Sequence, residues 1–223
     1  MGRLIVIEGL DGSGKATQAA MLAERLRGGG SKTRELRFPC YEDQSSLFVR
    51  MYLKGEFGDN PEAVNCYAAS MFYAADRYVS YKKQWEKEYE SDVIFVADRY
   101  TTSNAVYQMS KLKKEEWDGY LGWLVDFEYK KLSIPSPDAV FFLDISPKVS
   151  ERMMMERYGG DKEKMDIHER DIEYQQKSRE AALYCAKSEG WRVIDCGGEN
   201  MKSRQEIADE IFVNVQKLLK SIK

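Results

Sequence analysis

The feature that most constrains this chain is a short apolar run that ends in a glycine-rich turn and a lysine. Residues 4–7 are apolar and mostly β-branched, the turn occupies residues 8–14, and Lys15 leads into a segment with an apolar stripe at residues 17–27. A strand, a tight turn and a helix in this order form a phosphate-binding loop (P-loop), because the turn amides and the positive end of the helix dipole point at the same anion. An ordinary glycine-rich strand-to-helix turn is the alternative, but the buried strand and the lysine favour a loop that binds a nucleotide.

The end of this loop departs from the usual pattern. The lysine is normally followed by Ser or Thr, whose hydroxyl binds Mg²⁺, but Ala16 holds that position here. Because alanine offers no oxygen, the metal must rely on Thr17, on water, or on a carboxylate such as Asp11 or Asp98. We therefore expect a magnesium site whose ligands the sequence leaves open.

Composition argues against a nucleic-acid-binding, membrane-spanning, secreted or zinc-binding protein. The chain has 34 basic and 37 acidic residues and a net charge of −3, so it lacks the basic excess expected of a nucleic-acid-binding protein. No apolar run approaches the ~20 residues that a membrane-spanning helix needs, and the first apolar run is too short for a signal peptide. The four cysteines are not spaced like a zinc site. We expect one cytoplasmic domain over residues 1–223, without nucleic-acid or membrane partners.

Apolar runs alternate with helical patterns along the chain. The predicted strands are residues 3–7, 32–38, 92–97, 139–143 and 191–195. This alternation predicts an α/β fold, a five-stranded parallel sheet with helices on both faces.

Two intervals are too long for simple crossovers. We interpret residues 41–90 as a substrate-binding insertion and residues 148–168 as part of a mobile helical lid. Gly159-Gly160 fits either a break in that lid or an ordinary helix end.

The third predicted strand ends in charged residues that suit phosphate chemistry. Asp98 occupies the position at which an acid orients Mg²⁺ beside a P-loop, and Arg99 can grip a phosphate with its two-pronged guanidinium. Asn104 and Tyr107 are three residues apart, so a helix places them on one face. A strand-end salt bridge would be the simpler interpretation of Asp98 and Arg99 if the P-loop were absent.

These motifs together make the chain resemble thymidylate kinases of the bacterial type, which belong to the nucleoside monophosphate kinases. The matching blocks, in order, are residues 8–15, Phe38-Pro39, residues 71–77, Asp98-Arg99-Tyr100 with Ser103, Asn104 and Tyr107, and Asp144 with Pro147 and Arg152. The resemblance implies a P-loop NTPase fold and the reaction ATP + dTMP → ADP + dTDP, with Mg²⁺ as cofactor, in the synthesis of dTTP.

The resemblance also implies roles for individual residues. The implied ATP-binding residues are Gly9, Asp11, Gly12, Ser13, Gly14, Lys15, Ala16 and Thr17. The implied acceptor-binding residues are Asp11, Phe38, Tyr41, Tyr73, Arg77, Arg99, Asn104 and Tyr107. Asp11 would contact the 3′-hydroxyl of the deoxyribose, Arg77 the pyrimidine edge, and Arg99 the acceptor phosphate. The implied catalytic residues are Lys15, Asp98, Arg99 and Arg152.

The chain departs from the family at several positions. Tyr73 replaces the usual phenylalanine, with Phe72 beside it, so either ring could face the base. The arginine that often follows Phe-Pro is missing, and Arg50 is a candidate replacement.

The lid region also carries several candidate groups. Arg152 is favoured as the lid cation, Arg157 is left open, and Lys162 and Lys164 are weaker candidates. His168 lies where relatives often have an aromatic residue near the nucleotide, and a packing role is an equal alternative.

Other functions remain in competition. The nearest is another nucleoside monophosphate or deoxynucleoside kinase with a different acceptor. A GTPase-like switch should carry an Asn-Lys-x-Asp motif, which the sequence lacks, and a non-catalytic ATP-binding module would not consume ATP. Relatives are homodimers, so we expect a homodimer in which residues 65–81 contribute a contact surface.

Overall fold

A computed structural model describes residues 1–198 and 201–221 of the chain. Its single described sheet has five parallel strands in the order β2-β3-β1-β4-β5. The strands are β1 Arg3–Gly9, β2 Thr33–Arg37, β3 Ile94–Asp98, β4 Ala139–Asp144 and β5 Arg192–Asp195. The predicted parallel sheet is therefore confirmed, with strand ends within two residues of the apolar runs.

Helices connect every pair of consecutive strands. The α-helices are α1 Lys15–Gly28, α2 Leu47–Leu53, α3 Cys66–Ser80, α4 Glu86–Tyr89, α5 Trp117–Val125, α6 Pro147–Arg157, α7 Ile172–Ser188 and α8 Arg204–Ser221. Three π-helical turns lie at Tyr81–Trp85, Asn104–Gln108 and Asp126–Lys131. Short 3₁₀ turns lie at Gln44–Ser46, Pro61–Ala63, Met109–Lys111, Lys114–Glu116 and Lys162–Lys164.

The sheet buries both of its faces, as a parallel sheet must. Along β1, Ile5 and Ile7 point into a core shared with α1 and α8. Leu4 and Val6 point the other way, into a core that contains Trp85 from the π-helical turn. Alternating burial of both faces explains why β1 is an uninterrupted apolar run rather than an alternating one.

The strand order places a ligand crevice at the carboxyl end of β1. Strand β1 lies between β3 on one side and β4 on the other. The chain segments that leave these neighbouring strands run in different directions and leave a crevice beside the end of β1. The P-loop after β1, Asp98 at the end of β3 and the segment between β4 and α6 all lie at this edge of the sheet.

Helix α6 packs directly on the P-loop. The Ser150 hydroxyl donates a hydrogen bond to the Asp11 carbonyl. A Cβ added to Gly12 would lie 2.9 Å from the Ser150 carbonyl oxygen, so only glycine fits this contact. The loop is thus held from both the sheet and α6.

The Gly159-Gly160 pair ends α6. Both residues have left-handed φ angles, 62° and 84°, and the Gly160 amide donates 2.9 Å to the Met155 carbonyl. This is a glycine helix terminus. Over residues 1–198 and 201–221, no helix is both long and apolar enough to cross a membrane.

Candidate active site

A cavity of about 380 Å³ opens at the carboxyl edge of the sheet, where the strand order predicts a ligand. All eight predicted acceptor-binding residues line it, from Asp11 to Tyr107. Of the predicted ATP-binding residues, Asp11, Gly12, Gly14, Lys15, Ala16 and Thr17 also line it. Gly9 and Ser13 belong to the P-loop but do not reach the cavity wall.

The P-loop backbone is shaped by glycine. Gly14 has a φ of 84° and stands at the N-terminus of α1, a conformation that costs other residues about 1–2 kcal/mol. Lys15 is 7% exposed and its Nζ donates 2.7 Å to the Leu10 carbonyl within the loop. Burial, together with the positive charge of Arg99, lowers the pKa of Lys15 to about 8. Among the residues that the structure describes, the only hydrogen-bond partner of this buried cation is the neutral Leu10 carbonyl.

Opposite the P-loop lysine, Arg99 and Tyr107 hold the Asp11 carboxylate. Arg99 Nη2 donates to Asp11 Oδ1, and the Tyr107 hydroxyl donates to Oδ2 at 3.0 Å. Burial raises the pKa of Asp11, but the charges of Arg99 and Lys15 and the Tyr107 hydrogen bond outweigh it and leave the pKa well below its usual value. The carboxylate is therefore ionised at neutral pH.

Arg99 adopts a backbone conformation that is rare outside glycine, with a φ of 66°. Beneath it lies Glu8, which is fully buried in β1 and accepts 2.8 Å hydrogen bonds from Thr102 and Ser103. Arg99 Nη1 is 3.6 Å from Glu8 Oε1. Glu8 was predicted to begin the glycine-rich turn and had no separate role, whereas the structure places it inside β1.

Arg77 is anchored by a second buried carboxylate. Its Nε and Nη2 donate to Glu128 at 2.8 and 2.5 Å, and its Nη1 donates to the Tyr100 carbonyl at 3.3 Å. Asn104 Nδ2 donates 3.1 Å to the same Glu128. Arg77 and Asn104 therefore face the cavity from a fixed frame whose central residue, Glu128, the sequence analysis did not identify.

The two candidate base-facing rings are separated by the structure. Tyr73 lines the cavity. Phe72 instead packs against Phe48 and Phe57, with ring centroids 5.7 and 5.6 Å away. The sequence left this choice open, and the helical phase of α3 points Tyr73 at the site.

The predicted lid region contributes different residues from those favoured. Arg152 is exposed on α6 and does not line the cavity, whereas Arg157, at the end of that helix, does. Lys162 and Lys164 also stay outside the cavity wall. Arg152 was favoured because it matches the family's entry to the lid, but its side chain on α6 is exposed to solvent.

Arg50 does not replace the missing arginine after Phe-Pro. Its Nη1 donates to the Tyr41 and Asp43 carbonyls at 2.8 and 3.0 Å, so it holds the loop before α2 together. Arg37, the residue before Phe38, lines the cavity instead, with a side chain that is 73% exposed. Sequence reasoning missed it because it searched only after the Phe-Pro pair.

Residues 158–169 bring unexpected acidic groups to the cavity. Tyr158, Asp166, His168 and Glu169 all line it. Burial and the nearby carboxylates of Asp11 and Glu169 raise the pKa of Asp166 to about 7. Burial, aided by the charge of Lys111, lowers the pKa of His168 to about 3, so its imidazole is neutral. No sequence motif flagged Asp166 or Glu169.

Oxygen ligands for a divalent cation are present at the edge of the P-loop. Asp98 Oδ1 is buried and, within the described part of the chain, has no hydrogen-bond partner. Asp98 Oδ2 lies 3.7 Å from Arg37 Nε. Ionised Asp11 and the Thr17 hydroxyl line the same cavity, and all three residues offer oxygen atoms of the kind that Mg²⁺ prefers.

Known proteins resemble this chain in sequence and in fold. The sequence model of the thymidylate kinase family matches residues 7–207. A probable thymidylate kinase of Pyrobaculum aerophilum is 28% identical over 98% of this chain and 96% of its own. The thymidylate kinase of Mycobacterium tuberculosis is 31% identical over 84% of this chain and 87% of its own.

The fold also has a solved counterpart. The structure of thymidylate kinase from Candida albicans aligns with a TM-score of 0.68 at 22% identity, covering 97% of this chain and 92% of that one. The predicted P-loop NTPase fold is thereby confirmed. These relatives come from very different organisms, so the bacterial type stays a prediction. With a family match across most of the sequence, the chain belongs to the thymidylate kinase family.

Proposed function

We propose that this protein transfers the γ-phosphoryl group of ATP to dTMP, giving ADP and dTDP for dTTP synthesis. The observation that carries the proposal is one cavity with two phosphate-binding ends, the P-loop amides with Lys15 on one side and Arg99 on the other. A kinase that joins two anions needs both ends in one space, because positioning supplies much of the rate.

The acceptor needs no strong base. A nucleoside monophosphate oxygen is already anionic at neutral pH, so the barrier comes mainly from bringing two negative groups together. Lys15 and Arg99 would neutralise that charge from opposite sides, and Arg157 is the lid-side cation that reaches the cavity. Tyr73 would stack on the base while Arg77, fixed by Glu128, meets its polar edge.

Mg²⁺ fits the oxygen set described above. Asp98, Asp11 and Thr17 would hold it, directly or through water. When bound, such an ion neutralises charge on the donor phosphates. The unpartnered Asp98 Oδ1 supports this assignment.

The proposal is tested by ADP release with ATP and a panel of acceptors: dTMP, dUMP, dCMP, AMP and thymidine. Preference for dTMP supports it, and preference for another monophosphate would favour the alternative kinase. ATP binding without acceptor-dependent ADP release would instead indicate a binding module.

We also infer a homodimer built on α3. Tyr67, Met71 and Tyr78 lie on one face of this helix and are 45%, 49% and 38% exposed. Burying them against a second copy would remove apolar surface from water. Sedimentation should give twice the monomer mass.

A cytoplasmic location stays a prediction, which cell fractionation can test.

A further inference from the structure

Lys111 is a partly buried cation that the proposed reaction does not use. Its Nζ donates 2.9 Å hydrogen bonds to the Tyr52 hydroxyl and to the Val64 carbonyl. It also lies 5.0 Å from the centroid of the Tyr52 ring. Among the described residues, no carboxylate lies within 4 Å of it. Keeping a cation away from water without a countercharge is costly, so this placement calls for an explanation.

The Tyr52 hydroxyl is hydrogen-bonded to both Lys111 and His168, and so connects them. The Tyr52 side chain is fully buried, and its hydroxyl donates 3.0 Å to the Pro61 carbonyl. A phenol has one proton, so its oxygen accepts from Lys111 and from His168 Nε2, which is 2.9 Å away. This network selects the His168 tautomer that carries its proton on Nε2.

His168 in turn supports the wall of the cavity. Its ring lies nearly parallel to that of Tyr107, at 13° with centroids 5.7 Å apart. Tyr107 holds Asp11 through its hydroxyl and lies under the Arg99 guanidinium, 5.1 Å from the ring centroid. A chain of direct contacts therefore runs from Lys111 to the groups proposed to hold the acceptor.

We propose that Lys111 is a positioning residue for the acceptor nucleotide: through Tyr52 it fixes the His168 ring against Tyr107, and so sets the acceptor end of the cavity. The inference rests on the proposed dTMP kinase function. It assigns Lys111 no contact with substrate, and none with the P-loop. Because the path reaches the P-loop only at its far end, through the Tyr107–Asp11 hydrogen bond, we expect its effect on dTMP to exceed its effect on ATP.

The charge of Lys111 distinguishes this role from a structural one. Burial lowers the pKa of Lys111 to about 7, from an ordinary value of 10.5. The titratable groups that face it are Tyr52, His168, Glu62 and Cys66. Between pH 7 and 10.5 the unfolded chain binds one more proton at this site, so its contribution to the unfolding free energy rises with pH. The ammonium therefore costs the folded state most below about pH 7.

The test compares Lys111→Met with Tyr52→Phe and with the double variant. Lys113→Met is the matched control, because Lys113 is an exposed lysine two positions along the chain and outside this network. Each protein is measured for dTMP affinity by calorimetric titration, for the KM of dTMP and ATP, and for Tm at pH 6 and pH 9.

We expect the dTMP KM and dissociation constant to rise about five- to tenfold in each single variant. The double variant should be no worse than either single one, since both break the same path. The ATP KM should change less than the dTMP KM, and the Lys113→Met control should leave both unchanged. The Tm of Lys111→Met minus the Tm of wild type should be larger at pH 6, where the buried ammonium destabilises the wild-type fold, than at pH 9.

Unchanged dTMP affinity in Lys111→Met would overturn the inference, as would additive effects in the double variant. Equal losses for dTMP and ATP with a lowered Tm would mean a purely structural role, and would also overturn it. If Lys111→Met does not fold, Tyr52→Phe decides alone, because it keeps the buried ring. Failure of the proposed function appears separately, as wild-type protein that does not phosphorylate dTMP.

Discussion

The two ends of the cavity are built in opposite ways. The P-loop end comes from one stretch, residues 9–17, whose shape is set by local glycine conformations and the start of α1. The end proposed to hold the acceptor, called the acceptor end below, is assembled from five distant parts of the chain: residues 37–41, 73–77, 98–107, Glu128 and residues 157–169. A site of the first kind can be recognised as a motif, whereas one of the second kind exists only after folding.

The two ends also differ in how their cations are held. Lys15 donates to a neutral carbonyl of its own loop, with Asp11 4.0 Å away. Arg77 and Arg99 are each bonded to a carboxylate, Glu128 and Asp11. Lys15 therefore has no close ion pair that competes with a ligand. Arg77 and Arg99, by contrast, are held in position by ion pairs within the protein.

The largest effect should come from removing the available charge. Lys15→Ala is expected to lower kcat by about 10³-fold, because one cation aimed at the transferring group is lost. The measurement is steady-state turnover with saturating ATP and dTMP. Since the replaced group has no tight ion pair, Tm should change little, and kcat within about threefold of wild type would contradict the assignment of this end to the donor.

The second-largest effect should come from breaking the buried Arg77–Glu128 ion pair at the acceptor end. Glu128→Gln leaves the buried Arg77 charge without its partner, and should lower the unfolding free energy by about 3–5 kcal/mol. Urea unfolding measures it. Glu88→Gln is the control, since it removes a carboxylate from the more exposed Arg34–Glu88 pair and should cost about 1 kcal/mol or less. Equal losses in the two variants would show that the frame around Arg77 is not special.

A smaller effect on dTMP turnover is expected from Arg37, which lies on the cavity wall near Asp98. Arg37 is an exposed cation, and its Nε lies 3.7 Å from Asp98 Oδ2, which is too far for a hydrogen bond. Arg37→Gln should lower kcat/KM for dTMP about tenfold, the size of one charge-assisted hydrogen bond to phosphate. Tm should not move, because the side chain is mostly in water.

The control for Arg37 lies on the same strand. Arg34→Gln removes a positive charge from β2 but from a residue bonded to Gln84 and Glu88, away from the cavity. If both variants lowered kcat/KM equally, the effect would reflect overall charge rather than a contact made by Arg37.

The smallest effect concerns the acidic groups of residues 158–169. The pKa of Asp166 is raised to about 7, so between pH 4 and 7 the folded chain binds one more proton there than the unfolded chain. That contribution to the unfolding free energy falls as pH rises through this window and is constant above it.

Asp166→Asn should therefore raise Tm relative to wild type by about 2–4 °C more at pH 8 than at pH 4, after allowance for solvent screening. Thermal scans at the two pH values measure it. Glu163→Gln, an exposed carboxylate of the same segment, serves as the control. A Tm difference that does not depend on pH would mean that Asp166 has an ordinary pKa.

The sequence predicted what is encoded locally. The five strands, the P-loop and the residues just after β3 followed from apolar runs and glycine spacing, because each depends on neighbours in the chain. The predicted acceptor-binding residues came from the family resemblance, and all eight of them line one cavity, although their role stays a prediction.

What the sequence could not settle depended on helix phase and tertiary packing. Arg152 and Arg157 differ by five positions on α6, and only the packing of that helix on the P-loop decides which one reaches the cavity. Glu128 comes from the π-helical turn after α5, far along the chain from Arg77. No pattern in either segment announces that they meet.

The most direct test is a crystal structure with ADP and dTMP bound together. The account predicts the diphosphate on the backbone amides of residues 12–17, and the dTMP phosphate on Arg99 with its base against Tyr73. Both ligands should occupy the one cavity with their phosphates facing each other. A dTMP molecule bound elsewhere, or a P-loop that leaves the diphosphate uncontacted, would contradict it.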